Sequence, residues 1–260
     1  MNERLADLAR SLAMARGPLL VATDLDGTLA PIVDNASAAM VPEETLAALD
    51  RLAQVARVAV ITGRDLNTAR RLVPNEAIAM VGSHGLEGSF EHPLLPDVNR
   101  IELAPKLEAE EQRVISAVPA AFQGIERKAI SVAFHFRNEP ELGEEIRAAL
   151  LPLAEGLRLR EGRMVLEVLP DTEGGKDRAL RALVNHFRAH ALLAMGDDLT
   201  DVAMFRAALD FRAAGETVVL AGVSGGDETP MEIAELADIL LASTTEAREL
   251  LEALATALEA

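Results

Sequence analysis

The sequence predicts an α/β fold: a doubly wound, mainly parallel, Rossmann-like core sheet into which a smaller α+β module is inserted. Three observations predict it. Short apolar runs alternate with amphipathic helical periods through the first hundred residues, the rhythm of a parallel sheet covered on both faces. Between about residues 102 and 171 that rhythm gives way to longer paired strands and helices. It then returns and continues to residue 258. The organisation expected is a discontinuous core, residues 1–101 and 172–260, carrying one module at 102–171.

Each element has a local reason. The first sixteen residues mix charge with a helical apolar period. Leu19 to Thr23 reads as a strand buried on both faces and runs into Asp24-Leu25-Asp26-Gly27-Thr28. Pro42-Glu43-Glu44 is a proline and acidic helix start, followed by an apolar face across LAALDRLAQVAR. Arg57 to Thr62 is the second strand, RDLNTARRLV a helix stopped before Pro74, and Ala77 to Gly82 the third strand. The module reads as a helix at Leu103 to Val118, strands between Ile125 and Phe136, a helix at Glu139 to Leu153, and a hairpin across LRLREGRMVLEVL whose strands meet at Glu161-Gly162. The core resumes with a helix at 176–190, a strand at Ala191 to Met195, a helix at Thr200 to Leu209, a strand at Thr217 to Ala221 and a closing helix at Glu246 to Leu258.

Composition excludes several classes. Half of the 260 residues are hydrophobic, which argues against disorder, and a net charge of -17 argues against nucleic acid or an anionic membrane as partner. No apolar span has membrane length, and the N-terminus lacks the uninterrupted apolar core of a signal peptide. The absence of cysteine excludes disulfides and thiolate chemistry and fits a cytoplasmic protein. No obligate protein partner is indicated. Asn35-Ala36-Ser37 matches a glycosylation acceptor and reads as a chance match. Three lysines, Lys106, Lys128 and Lys176, stand against twenty-two arginines, which makes each a candidate for a task needing a compact point charge.

Four segments follow core strands or open core helices, and all carry residues suited to a phosphate: Asp24 to Thr28, Thr62-Gly63-Arg64, Gly174-Gly175-Lys176 and Gly196 to Asp201. In a parallel sheet the strand C-termini share one edge, so these distant segments converge there. Asp24, at the strand end, suits a carboxylate nucleophile that forms an aspartyl-phosphate. Asp26, two residues on, suits a general acid for the leaving alcohol and then a base for water. Two carboxylates facing a phosphate dianion require a cation. Mg2+ fits, held by Asp24, Asp26, Asp197 and Asp198. Thr62 and Lys176 then position the non-bridging oxygens, with Arg64 a further substrate contact. Asp198 also fits a helix cap, and Thr200 and Asp201 fit either a cap or support of the metal. A P-loop is excluded because Asp177 follows the lysine.

Together, in this order, the motifs resemble the haloacid dehalogenase superfamily of phosphotransferases. That resemblance implies an aspartyl-phosphate mechanism, magnesium dependence and an α/β cap domain that closes over small phosphorylated sugars. DLDGTLAPI, ITGRDL, GSHGLEG, IERKAISVAFHFR, GRMVLEVLP and GDDLTDVAMF further resemble the trehalose-6-phosphate phosphatases, from Leu19 to Phe205. The resemblance implies that Glu126, Lys128, Arg137 and Glu167 contact the sugar, and that the substrate is trehalose 6-phosphate. The departures are Asp177 after the motif lysine, Val202 after GDDLTD and Phe136 in the HFR triplet. None removes a catalytic group, but they keep open a phosphatase for sucrose phosphate or for mannosyl- or glucosyl-3-phosphoglycerate; separate alternatives are a phosphotransferase with another acceptor and a catalytically silent metabolite-binding module, the latter opposed by the intact Asp24, Asp26, Lys176 and Asp197. His84 fits a substrate contact, packing beneath the site or a backbone hydrogen bond. His186 and His190 have the spacing of a metal pair but no third ligand, and read as a solvated helix face.

Overall fold

The computed structural model describes residues 3–33, 38–96, 98–162, 164–225 and 229–260; Asn35-Ala36-Ser37 and Arg163 of the GRMVLEVLP motif lie outside them. The chain divides into two compact units, Met1–Leu95 with Gly174–Ala260, and Pro96–Glu173.

The first unit is built on a seven-stranded sheet. Its strands are β1 (Leu19–Thr23), β2 (Arg57–Ile61), β3 (Ala79–Gly82), β4 (Glu87–Gly88), β9 (Ala191–Gly196), β10 (Thr217–Val223) and β11 (Ile239–Leu241). The order is β11-β10-β9-β1-β2-β3-β4. All neighbours are parallel except the β3 and β4 pair. Every residue of β1 is buried, as a central strand covered on both faces requires.

Alternate residues serve the two faces. Val21, Val60, Leu193 and Val219 pack on the side of α1 (Glu3–Ala13), α2 (Glu43–Val55), α3 (Leu66–Leu72) and α9 (Thr244–Glu259). Leu20, Ala22, Ile61, Ala194 and Leu220 pack on the side of α6 (Lys176–Phe187), α7 (Leu199–Ala213) and α8 (Met231–Leu236), against Leu180, Leu183 and Phe205. The chain leaves β1 toward β2 on one side and returns to β9 on the other. The C-terminal ends of β1 and β9 therefore flank a topological switch point, where such sheets bind ligands.

The second unit is a four-stranded antiparallel sheet, β5 (Ile125–Arg127), β6 (Val132–His135), β8 (Val165–Pro170) and β7 (Leu157–Gly162) in that spatial order. It is packed by α4 (Arg100–Ala117) and α5 (Leu142–Leu150). Phe134, Val132, Leu166 and Val168 form its apolar side with Val114, Ile146 and Leu150. The hairpin does not turn at Glu161-Gly162. Both residues stay in the strand, Gly162 pairs with Val165, and Met164 takes a positive φ of 61°. Among the described residues, no helix is long and apolar enough to cross a membrane.

Candidate active site

The switch point gathers three of the four core segments around one buried lysine. β1 delivers Asp24 at its C-terminal end, and Leu25 turns back into the core while the Asp24 side chain stays 6% exposed. Gly27 follows at φ 81°, where a Cβ would lie 2.0 Å from Asp197 Oδ2. The close approach of these two loops thus requires glycine. β9 delivers Asp197, and Thr28 donates to its Oδ1 at 3.1 Å. α6 begins at Lys176 after Gly175, whose φ of 146° is open only to glycine, so the lysine enters from the N-terminal turn of its helix.

Lys176 Nζ lies 2.8 Å from Asp24 Oδ1, 2.8 Å from Asp201 Oδ1 and 3.9 Å from Asp198 Oδ1, with its side chain 2 % exposed. Asp201 is fully buried and has two tasks. Its Oδ2 accepts from the backbone N–H groups of Asp197 and Asp198 at 3.1 and 3.2 Å, closing a capping box at the start of α7. Its other oxygen takes the lysine. Asp198 is the N-cap, accepting from the N–H groups of Thr200 and Asp201 and from the Thr200 hydroxyl at 2.6 Å.

The charges do not balance in this pocket. Burial, joined by the neighbouring carboxylates, pushes Asp197 up to about 7; burial does the same to Asp24 against the pull of Lys176. Burial also raises Asp201 well above its ordinary value, and Lys176 offsets this only in part. For Asp198, burial is outweighed by Lys176 and the Thr200 hydrogen bonds, so its carboxyl is lowered. Lys176 is raised, since Asp24, Asp201 and Asp198 more than offset its burial. Oxygens of Asp24, Asp197 and Asp201 lie within 4.8 Å of one another. An all-oxygen, electron-rich set of this kind, short of positive charge, suits a hard divalent cation.

Asp26 and Arg64 stand apart from that cluster. Arg64 Nε and Nη2 donate to the two Asp26 oxygens, each at 2.7 Å, a fork that engages the whole carboxylate. Thr62, at the end of β2, is 1 % exposed; its N–H donates to Val81 O, and its hydroxyl oxygen accepts from Arg64 N at 3.1 Å. His84 N donates to Thr62 O, and the imidazole lies over Gly63, where a Cβ would come within 2.5 Å of Nε2. Of the residues named from sequence, the core thus brings Asp24, Asp197, Asp198 and Lys176 together. It places Thr62, Arg64, His84 and Asp26 in a second linked set, and it adds Asp201 to the carboxylates.

In the second unit Glu126, Lys128 and Glu167 share one face of the sheet. Lys128 Nζ lies 3.1 Å from Glu167 Oε1 and 4.0 Å from Glu126 Oε2, and His135 Nε2 lies 2.9 Å from Glu126 Oε2. Glu167 is 7 % exposed, yet its carboxyl is lowered to about 2, because Lys128, Arg160 and the Ser131 hydroxyl outweigh burial. The His135 hydrogen bond lowers Glu126 in the same direction. Arg137 instead lines a cavity with Gln123, Ile125, Asn138 and Leu142.

A doubly wound sheet with acidic strand ends, a buried lysine and an α+β unit inserted after β4 is the architecture of the haloacid dehalogenase superfamily, to which the trehalose phosphatases belong. The trehalose-phosphatase family model matches residues 22–236, and the chain belongs to that family. The trehalose-phosphate phosphatase of Mycobacterium marinum is 33% identical over 198 residues, 71% of this chain and 50% of that protein. That of Mycolicibacterium paratuberculosis is 32% identical over 250 residues, 91% of this chain and 62% of that protein. The chain therefore spans between half and two thirds of these relatives' length. The Aspergillus fumigatus trehalose-6-phosphate phosphatase superposes with a TM-score of 0.60 at 26% identity, covering 97% of each chain. The C-terminal domain of the Candida albicans trehalose-6-phosphate phosphatase shares the fold, with a TM-score of 0.69 at 22% identity over 98% of this chain and 97% of that one.

Proposed function

We propose that this protein is a magnesium-dependent phosphatase that hydrolyses trehalose 6-phosphate through an aspartyl-phosphate on Asp24. The observation that carries the reading is the Asp24 carboxylate at the end of β1, 2.8 Å from the Lys176 ammonium and grouped with Asp197 and Asp201. Burial favours the neutral acid, whereas attack requires the anion; the buried lysine supplies the opposing charge. Asp24, Asp197 and Asp201 would hold the Mg2+, which offsets the negative charge of the substrate phosphate.

In the first step a bond forms between an Asp24 oxygen and phosphorus, the bond from phosphorus to the sugar oxygen breaks, and Asp26 gives the departing oxygen its proton. Asp26 takes up this role once Arg64 exchanges that carboxylate for the phosphate and the freed carboxylate takes a proton from solvent. In the second step Asp26 removes a proton from water, which attacks phosphorus and frees Asp24. Thr62 and Lys176 hold non-bridging oxygens throughout, while Glu126, Lys128 and Glu167 take sugar hydroxyls by charge-assisted hydrogen bonds.

The test is phosphate release from a panel of sugar phosphates, with Mg2+ and with a chelator. Magnesium-dependent preference for trehalose 6-phosphate is expected. Preference for another sugar overturns the substrate, and no turnover of any member overturns the activity.

A further inference from the structure

The register of the second unit's sheet sets a row of side chains across all four strands. Glu126 pairs with Ala133, Ala133 with Glu167, and Glu167 with Arg160. Directly paired residues point to the same face, so this row shares one surface. The adjacent row, Arg127, Val132, Val168 and Leu159, takes the opposite face, where Arg127 is held by Glu111 of α4. The Glu126 row therefore faces away from the helices.

Within that row Glu167 has unusually complete partners. Its Oε1 accepts from Ser131 Oγ at 2.6 Å and from Lys128 Nζ at 3.1 Å, and Arg160 Nη2 donates to Oε2. A nearly buried carboxylate stays ionised and in one rotamer only with such bonds. Arg160 reaches it from the edge strand, and Ser131 from the turn between β5 and β6. Lys128 is shared, since its ammonium also lies 4.0 Å from Glu126, which His135 holds in turn. The position of the ammonium therefore depends on where the Glu167 carboxylate is fixed.

We propose that Arg160 and Ser131 are positioning residues for sugar recognition. They fix the Glu167 carboxylate, and through it the Lys128 ammonium, in the orientation that takes the hydroxyls of the sugar. The inference rests on the reading that Glu167 and Lys128 engage the sugar. After these bonds Oε2 retains acceptor capacity, and the ammonium, with three donors, retains at least one N–H for a ligand. The charged groups identified around Glu167 are Lys128, Arg160 and, beyond Lys128, Glu126 with His135.

The experiment compares R160M, R160K, S131A and E167Q for kcat and KM on trehalose 6-phosphate and on p-nitrophenyl phosphate, across pH. R160M should raise KM for the sugar phosphate about tenfold, the worth of one charge-assisted hydrogen bond, with a smaller change in kcat. Its acid limb in kcat/KM should move to higher pH, because Glu167 loses a cation that favours its ionised form; R160K should restore the limb. S131A should raise the same KM a few-fold. If E167Q lowers the preference for sugar over aryl phosphate while R160M and S131A leave KM and the acid limb unchanged, the positioning roles are overturned and the sugar reading stands. If E167Q leaves that preference unchanged, both fall. Should R160M fail to fold by circular dichroism, S131A, which removes a single hydroxyl, decides.

Discussion

Lys176→Met retains most of the lysine's apolar stem and deletes its charge, which makes it a direct measure of what the ammonium does in the core. With 2.8 Å contacts to Asp24 and Asp201 and a side chain 2 % exposed, the wild-type pairs are buried ones. Removing one member of a buried ion pair costs about 3–5 kcal/mol, because the partner charge is left uncompensated. For a chain of this length each kcal/mol lowers the melting temperature by about 2 °C, so a fall of about 6–10 °C is expected. The melts should be run in a chelator, so that no metal ion substitutes for the ammonium. A double-mutant cycle with Asp201→Asn then isolates the pair: K176M/D201N should be more stable than the two single costs predict, with a coupling of about 1–3 kcal/mol. Additive costs, or a K176M melt equal to wild type, would refute the electrostatic account of this lysine.

Asp24→Asn should lower turnover by about 10⁴-fold or more while the circular dichroism spectrum keeps its wild-type shape; retained turnover would move the nucleophile elsewhere. Gly27→Ala forces a Cβ to within 2.0 Å of Asp197 Oδ2 at φ 81°. The left-handed backbone alone costs about 1–2 kcal/mol, so chemical denaturation should show at least that loss, together with weaker magnesium activation. The Glu167 carboxyl, lowered from 4.5 to about 2, contributes stability that is fully present above pH 4.5 and lost as pH falls through about 2. That contribution is about 3 kcal/mol, so the stability gap between wild type and E167Q should narrow from pH 6 to pH 3; a constant gap would contradict it.

The fold class was legible because the core strands are short, apolar and separated by helices whose buried faces recur with helical period. β1, buried at all five positions, is the plainest case. The two-residue β4 and three-residue β11 are too short to carry a period, and neither could be read. The hairpin shows how a small local ambiguity spreads. A turn at Glu161-Gly162 would set Glu167 opposite Gly156, whereas the pairing of Gly162 with Val165 sets it opposite Arg160. The part played by Arg160 was therefore hidden by the turn rather than by its chemistry. In the core, the meeting of Asp24 with Asp197 follows from parallel strands ending on one edge, which sequence can suggest. The fork between Arg64 and Asp26 depends on rotamers in two separate loops, and Asp201 combines two roles that its position left open, cap and carboxylate cluster.

The place of β1 between β2 and β9 also dictates an order of assembly. From residue 23 to residue 191 the chain must add 168 residues before the second neighbour of β1 exists, about 10–30 s of synthesis at typical ribosomal rates. Throughout that interval one edge of a strand destined for complete burial lacks its partner, an invitation to mispairing. The Pro96–Glu173 unit, continuous in sequence, has all four of its strands by residue 170, before β9 is made. A nascent chain stalled after residue 173 would thus hold every strand of one sheet and only part of the other, and Asp24 would still be waiting for Lys176 and Asp197.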